Sequence, residues 1–100
     1  MEQEKERTSI IINELTFPHR ITSIRLLPYR EELYIIIGTD GGLLEIIDST
    51  GSSIVSQNLE DEINDVYVYG HWILVITSTH VWLFAFIKRH KLDPISVSYT

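Results

Sequence analysis

The sequence nearly repeats itself, and this constrains the fold more than any other feature. Ile21-Thr22-Ser23-Ile24-Arg25-Leu26 aligns with Ile63-Asn64-Asp65-Val66-Tyr67-Val68 at an offset of 42. Leu33–Thr39 then matches Ile73–Thr79 at an offset of 40, and Leu43–Ile47 matches Leu83–Ile87 or its immediate neighbours. Upstream, Ser9-Ile10 and Leu15 match Ser53-Ile54 and Leu59 at an offset of 44. The changes in offset fall between the apolar runs, where added or lost residues cost little loop entropy. A period of this length marks one supersecondary unit, and units of this kind bury their apolar faces by stacking on each other.

The units are β. Ser9–Leu15, Ile21–Leu26, Leu33–Ile37, Leu43–Ile47, Ser53–Ser56, Ile63–Tyr69, Trp72–Ile76, Val81–Ile87 and Ile95–Tyr99 are rich in β-branched and aromatic residues, which favour strands. Turn residues separate them at Pro28-Tyr29-Arg30, Asp40-Gly41-Gly42, Ser49-Thr50-Gly51 and Gly70-His71. No segment combines a helical period with a cap and a stop. The expected fold class is all-β, with four short antiparallel strands per unit.

Gly38-Thr39-Asp40-Gly41-Gly42-Leu43-Leu44-Glu45-Ile46-Ile47-Asp48-Ser49-Thr50-Gly51 resembles the core phrase of WD-repeat and quinoprotein-type β-propeller blades. In those families a Gly-(Ser/Thr)-x-Asp-Gly turn joins the second and third strands, and an Asp-x-x-x-Gly turn follows the third. Gly41 and Gly42 supply positive φ for a tight hairpin, and Asp40 is placed to bond amides within it. Asp48 and Gly51 do the same at the next corner. The chain departs from the pattern in having Ile47 before Asp48 in place of the Trp-Asp dipeptide, and no Gly-His pair opens a blade. The second copy has Ser78-Thr79-His80 where the first has Thr39-Asp40-Gly41. The resemblance covers roughly 9 to 87 and implies a fold, with no inherited active site. It implies a charged N-terminus over 1–8, strand 9–15 from a preceding blade, blade one over about 21–59 and blade two over about 63–100.

Two blades do not close a propeller. Leu33–Ile37, Trp72–Ile76 and Val81–Ile87 are continuous apolar runs, the pattern of strands covered on both faces. Two sheets cover one face each and leave two bare, and each large apolar residue left out forgoes roughly 1.5–3 kcal/mol of burial. Such patches mark interfaces or aggregation. The expected partner is therefore another protein chain supplying the missing blades, or further copies joined head to tail into a ring. A single small β-barrel or sandwich, burying everything within one chain, is the rival fold.

Charge narrows the partner class. Residues 31–65 carry nine acids and no Lys or Arg, and the chain has a net charge of −6. An acidic middle disfavours phosphate backbones, so nucleic acid is not expected. The apolar runs are too short for membrane helices, no signal peptide opens the sequence, and there is no cysteine for a disulfide framework. These point to a cytoplasmic or nuclear protein away from membranes.

Candidate chemistry is thin. His71 and His80 flank a strand but lack a third ligand for zinc. Glu60-Asp61-Glu62 with Asp65 lacks the spacing and glycine of a calcium loop. His19 with Asp40 or Asp48 and a serine has no nucleophile motif behind it. No catalytic, cofactor-binding or metal residue is assigned, and no enzyme is expected. The candidate interface residues are Tyr67, Tyr69, Trp72, Lys88, Arg89 and Lys91. Tyr67 and Tyr69 share a strand face, and aromatic rings at such joints also suit sugars, which gives a glycan-binding ring of copies as the alternative function to a scaffold subunit.

Overall fold

The computed structural model describes residues 17–99 of the chain. The expected strand Ser9–Leu15 and the charged segment 1–8 lie outside the described residues. The described chain is all-β: β1 (Ile21–Tyr29), β2 (Glu32–Thr39), β3 (Leu43–Ile47), β4 (Ser53–Asn58), β5 (Ile63–Tyr69), β6 (Trp72–Thr77), β7 (His80–Lys88) and β8 (Lys91–Tyr99). They form two four-stranded antiparallel sheets, β1-β2-β3-β4 and β5-β6-β7-β8, each a meander in chain order. The two sheets stay separate, so the strands do not close into one barrel.

Hairpin chemistry sets the registers. Tyr29 pairs with Glu32 across a two-residue turn in which Arg30 and Glu31 adopt φ of 50° and 66°, the left-handed pair that matches strand twist. The turn is thus Arg30-Glu31, which shares only Arg30 with the expected Pro28-Tyr29-Arg30. Pro28 is still in β1, where it is tolerated because β1 is an edge strand. Gly70 (φ 60°) and His90 (φ 70°) serve the corresponding tight turns of the second sheet.

The two sheets are built alike, and their shared irregularities locate the repeat. Each first strand carries a bulge at the same place, between Ile21 and Ser23 and between Ile63 and Asp65. Each second strand ends on a threonine whose hydroxyl caps the next hairpin: Thr39 Oγ1 accepts from the Leu43 amide at 3.1 Å, and Thr77 Oγ1 from the His80 amide at 3.0 Å. The Asp40 amide donates to the Arg20 carbonyl at 2.9 Å as the Ser78 amide donates to Glu62 at 3.0 Å. Structural equivalence therefore runs from Thr39 to Thr77, an offset of 38 where the letters alone align at 40. It runs from Leu43 to His80 in the third strands, an offset of 37.

The core lies between the sheets. The first contributes Leu27, Tyr34, Ile36, Leu44, Ile46 and Ile54; the second contributes Ile63, Val66, Ile73, Val75, Phe84, Phe86 and Leu92. Phe86 sits 4.9 Å from Tyr29 and 5.4 Å from Tyr34, ring centre to ring centre. Trp82 packs against the core and stacks on Phe84 at 5.4 Å. The seam is tightest where β1 and β2 meet β5 and loosest between β4 and β8.

The stacking is front to back. Val66, Ile73 and Val75 turn towards the first sheet, yet their equivalents Ile24, Ile35 and Ile37 lie on the first sheet's far face, because Ile24 pairs with Ile37 one step out of phase with inward Leu27 and Ile36. The two sheets thus present unlike faces to each other. A symmetrical sandwich would bring like faces together.

Candidate functional site

The predicted turn residues do different jobs from one another. Gly38 lets the sheets approach: a Cβ there would stand 2.7 Å from Ile63 Cγ2. Gly42 has φ of 92° and backs onto the Asp61 backbone, again at 2.7 Å from a Cβ. Gly41 has no positive φ; it is small because a Cβ would run into the His19 ring. Asp40 does not bond within its hairpin. It accepts from the Arg20 amide at 3.1 Å, and Thr39 takes the hairpin role expected of it. Asp48 behaves as expected, accepting from the amides of Thr50 and Ser52 at 3.0 Å each, while Gly51 turns with φ of 91°.

Asp48 also joins the sheets, because Arg89 reaches it at 2.6 Å. The Thr50 hydroxyl first, then the amides of Ser52 and Thr50 and the Arg89 charge, hold its carboxyl below the usual aspartate range against the opposing effect of burial. A second ion pair, Arg25 to Asp65 at 2.8 Å, crosses the seam near its tight end. Two hydrogen bonds also cross the seam: Thr22 donates to the Ile63 carbonyl at 2.6 Å, and Tyr29 donates to the Ile87 carbonyl at 2.6 Å. Arg25 and Thr22 were not distinguished by the sequence, where they fall among ordinary strand residues, and Asp65 drew notice only as a calcium ligand beside Glu60-Asp61-Glu62.

Of the candidate interface residues, Tyr67, Tyr69 and Trp72 gather on one surface, the far face of the second sheet. Tyr69 pairs with Trp72 and Tyr67 with Leu74, and Leu74 pairs in turn with Leu83. Tyr69 is 84% exposed, Tyr67 50% and Trp72 39%. Tyr67 bonds to the Asp65 carboxylate, which with that negative charge and burial raises the phenol above its ordinary value. Lys88, Arg89 and Lys91 stand apart at the β7–β8 turn: Arg89 is spent on Asp48, Lys91 lies 3.6 Å from Asp93, and Lys88 borders a cleft. The cleft, about 520 Å³, opens at the end of the seam between Tyr29, Arg30, Tyr34, Ile87 and Lys88. The first sheet's far face is also apolar, with Ile24 54% and Leu26 58% exposed.

The histidines and acids are dispersed. His71 packs against Trp72 and His80 against Tyr99, each pair with tilted rings, at opposite ends of β6. His19 is 4.0 Å from Asp40, and Asp48 lies beyond the other end of β3. Asp61 accepts from the Thr79 amide and hydroxyl, while Asp65 serves Arg25 and the Val66 amide. Among the described residues no three His, Asp or Glu side chains converge as metal ligands, and no helix is long and apolar enough to cross a membrane. No protein-family model matches the chain, and a search of curated proteins finds no match.

Proposed function

We propose that the chain is a non-enzymatic interaction subunit whose two sheets serve as two blades of a β-propeller shared with another protein chain. Front-to-back stacking carries this reading. A front-to-front pair is finished once its faces meet, whereas a front-to-back pair leaves one face of each kind open at its two ends. Here both outer faces bear exposed apolar side chains: Ile24, Leu26 and Leu33 on the first sheet, where Ile37 and Ile47 are nevertheless buried, and Tyr67, Tyr69 and Trp72 on the second. A seam that narrows towards β1 and β5 and widens towards β4 and β8 is also the wedge from which a propeller is built.

The solution mass of the full chain, expressed alone and recovered from its own cells, tests the proposal. The expected result is poor solubility or association when alone, and a defined complex with another polypeptide when recovered. A monodisperse monomer with a sharp unfolding transition would overturn it. The exposed trio Tyr67, Tyr69 and Trp72 favours a second reading, in which copies close into a ring and bind glycans at the joints. That reading requires a clean homo-oligomer and a Trp72 fluorescence change on adding oligosaccharide.

A further inference from the structure

The two sheets are equivalent position by position, so the face of the first sheet that is covered can be compared with the matching face of the second that is open. Where the first sheet has Leu27, Tyr34, Ile36, Leu44 and Ile46 facing its neighbour, the second has Tyr69, Trp72, Leu74, Val81 and Leu83 facing out. The apolar character is kept. The polar fastenings are not: Arg25, which holds Asp65 across the seam, is replaced by Tyr67, and Asp48, which holds Arg89, is replaced by Ala85. The spacing differs too. Gly38, which admits Ile63, is replaced by Ile76, whose side chain would fill the volume that the next sheet's first strand needs.

A second copy of this chain would bring Ile21, the equivalent of Ile63, against Ile76. At the Gly38 site an added Cβ alone would stand 2.7 Å from the isoleucine, and no real packing has that separation. Resting on the shared-propeller reading, we infer that the far face of the second sheet is covered by a β-sheet of a different polypeptide. That sheet is apolar, offers no charged side chain to Tyr67, and carries a residue smaller than isoleucine opposite Ile76. The acids on this face, Asp65 and Asp93, already have partners within the chain in Arg25 and Lys91, so the joint gains no ion pair of the kind that fastens the inner seam and the face selects its partner by shape and hydrophobicity.

Photo-crosslinking tests this. A benzophenone amino acid replaces Tyr67 in the full chain, aromatic for aromatic at an exposed position, and a second probe replaces Leu26 on the first sheet's far face. Both chains are expressed in the protein's own cells, and crosslinked peptides are sequenced by mass spectrometry. The expected result is a crosslink from position 67 to an alternating apolar strand of another polypeptide. Capture of residues 21–37 of a second copy would overturn the inference. So would a silent position 67 beside a position 26 that captures another polypeptide, although the subunit reading would then stand. Silence at both positions with a monomeric mass would overturn both.

Discussion

Gly38 and Ile63 meet across the seam with no space between them, since a Cβ on residue 38 would stand 2.7 Å from Ile63 Cγ2. The two sheets can therefore close only while residue 38 has no side chain. In an ordinary strand, replacing Gly with Ala is favourable by roughly 0.5–1 kcal/mol. Here Gly38→Ala is expected to destabilise by about 1–3 kcal/mol, the usual cost of overpacking. Urea denaturation followed by tryptophan fluorescence reads it. Trimming Ile63 to Ala should cost less in the Gly38→Ala background than alone, a coupling that a double-mutant cycle resolves.

The strands and the repeat were legible because their signals are local. Continuous runs such as Trp72–Ile76 and alternations such as Ile21–Leu26 state which segments are extended, and Gly51 states its turn by its own φ. The offsets were legible only approximately. Aligning letters puts Thr39 opposite Thr79, but the hydroxyl that caps the hairpin belongs to Thr77, and Ser78-Thr79 form a turn one residue shorter than Asp40-Gly41-Gly42. The seam was illegible for a different reason. Arg25–Asp65, Arg89–Asp48 and Thr22–Ile63 each join residues about forty positions apart, and no local pattern separates a strand arginine that will cross a seam from one that will meet water. Of the six candidate interface residues, Tyr67 and Tyr69 were legible as one face through strand alternation, and Trp72 joins them through the hairpin register, where it pairs with Tyr69. The basic three were not, because the turn spends Arg89 internally.

Thr39 and Thr77 are equivalent devices, each a buried hydroxyl accepting the amide that opens the third strand. Thr39→Val keeps the shape and removes the acceptor, leaving the Leu43 amide without it. A loss of roughly 1–3 kcal/mol is expected, the cost of an unsatisfied buried group. Thr39→Ser should recover most of that, and Thr77→Val should show the same ordering. Hydrogen exchange at Leu43 and His80 locates the effect at the hairpins.

Asp48 holds two structures at once, the turn through Thr50 and Ser52 and the seam through Arg89. Asp48→Ala, which removes both, should therefore destabilise more than Arg89→Ala, which removes only the second. Its carboxyl is held below the ordinary value of 3.8, chiefly by the Thr50 hydroxyl. A carboxyl depressed in the folded state contributes stability that is complete above its unfolded value and is lost as pH falls through its folded one. The chain should lose stability below about pH 4, and Asp48→Asn should flatten that part of the profile. Asp61 and Asp65, also depressed, leave a residual slope. Denaturation midpoints across that range decide it.

Tyr67 reports on the tight end of the seam. Its hydroxyl bonds to the Asp65 carboxylate, and that bond and the negative charge raise the phenol above the ordinary tyrosine value of 10.0. The same bond comes first among the causes that lower Asp65, ahead of the Val66 amide and the Arg25 charge. In an ultraviolet titration of the chain's five tyrosines, one component should therefore ionise above the ordinary tyrosine value. Asp65→Asn should bring that component down, because it removes both the acceptor charge and the repulsion of the phenolate. Arg25→Ala should move it the other way, since the guanidinium attracts the phenolate and so opposes the shift. A titration unchanged by Asp65→Asn would separate the two side chains and remove this account of the seam's outer corner.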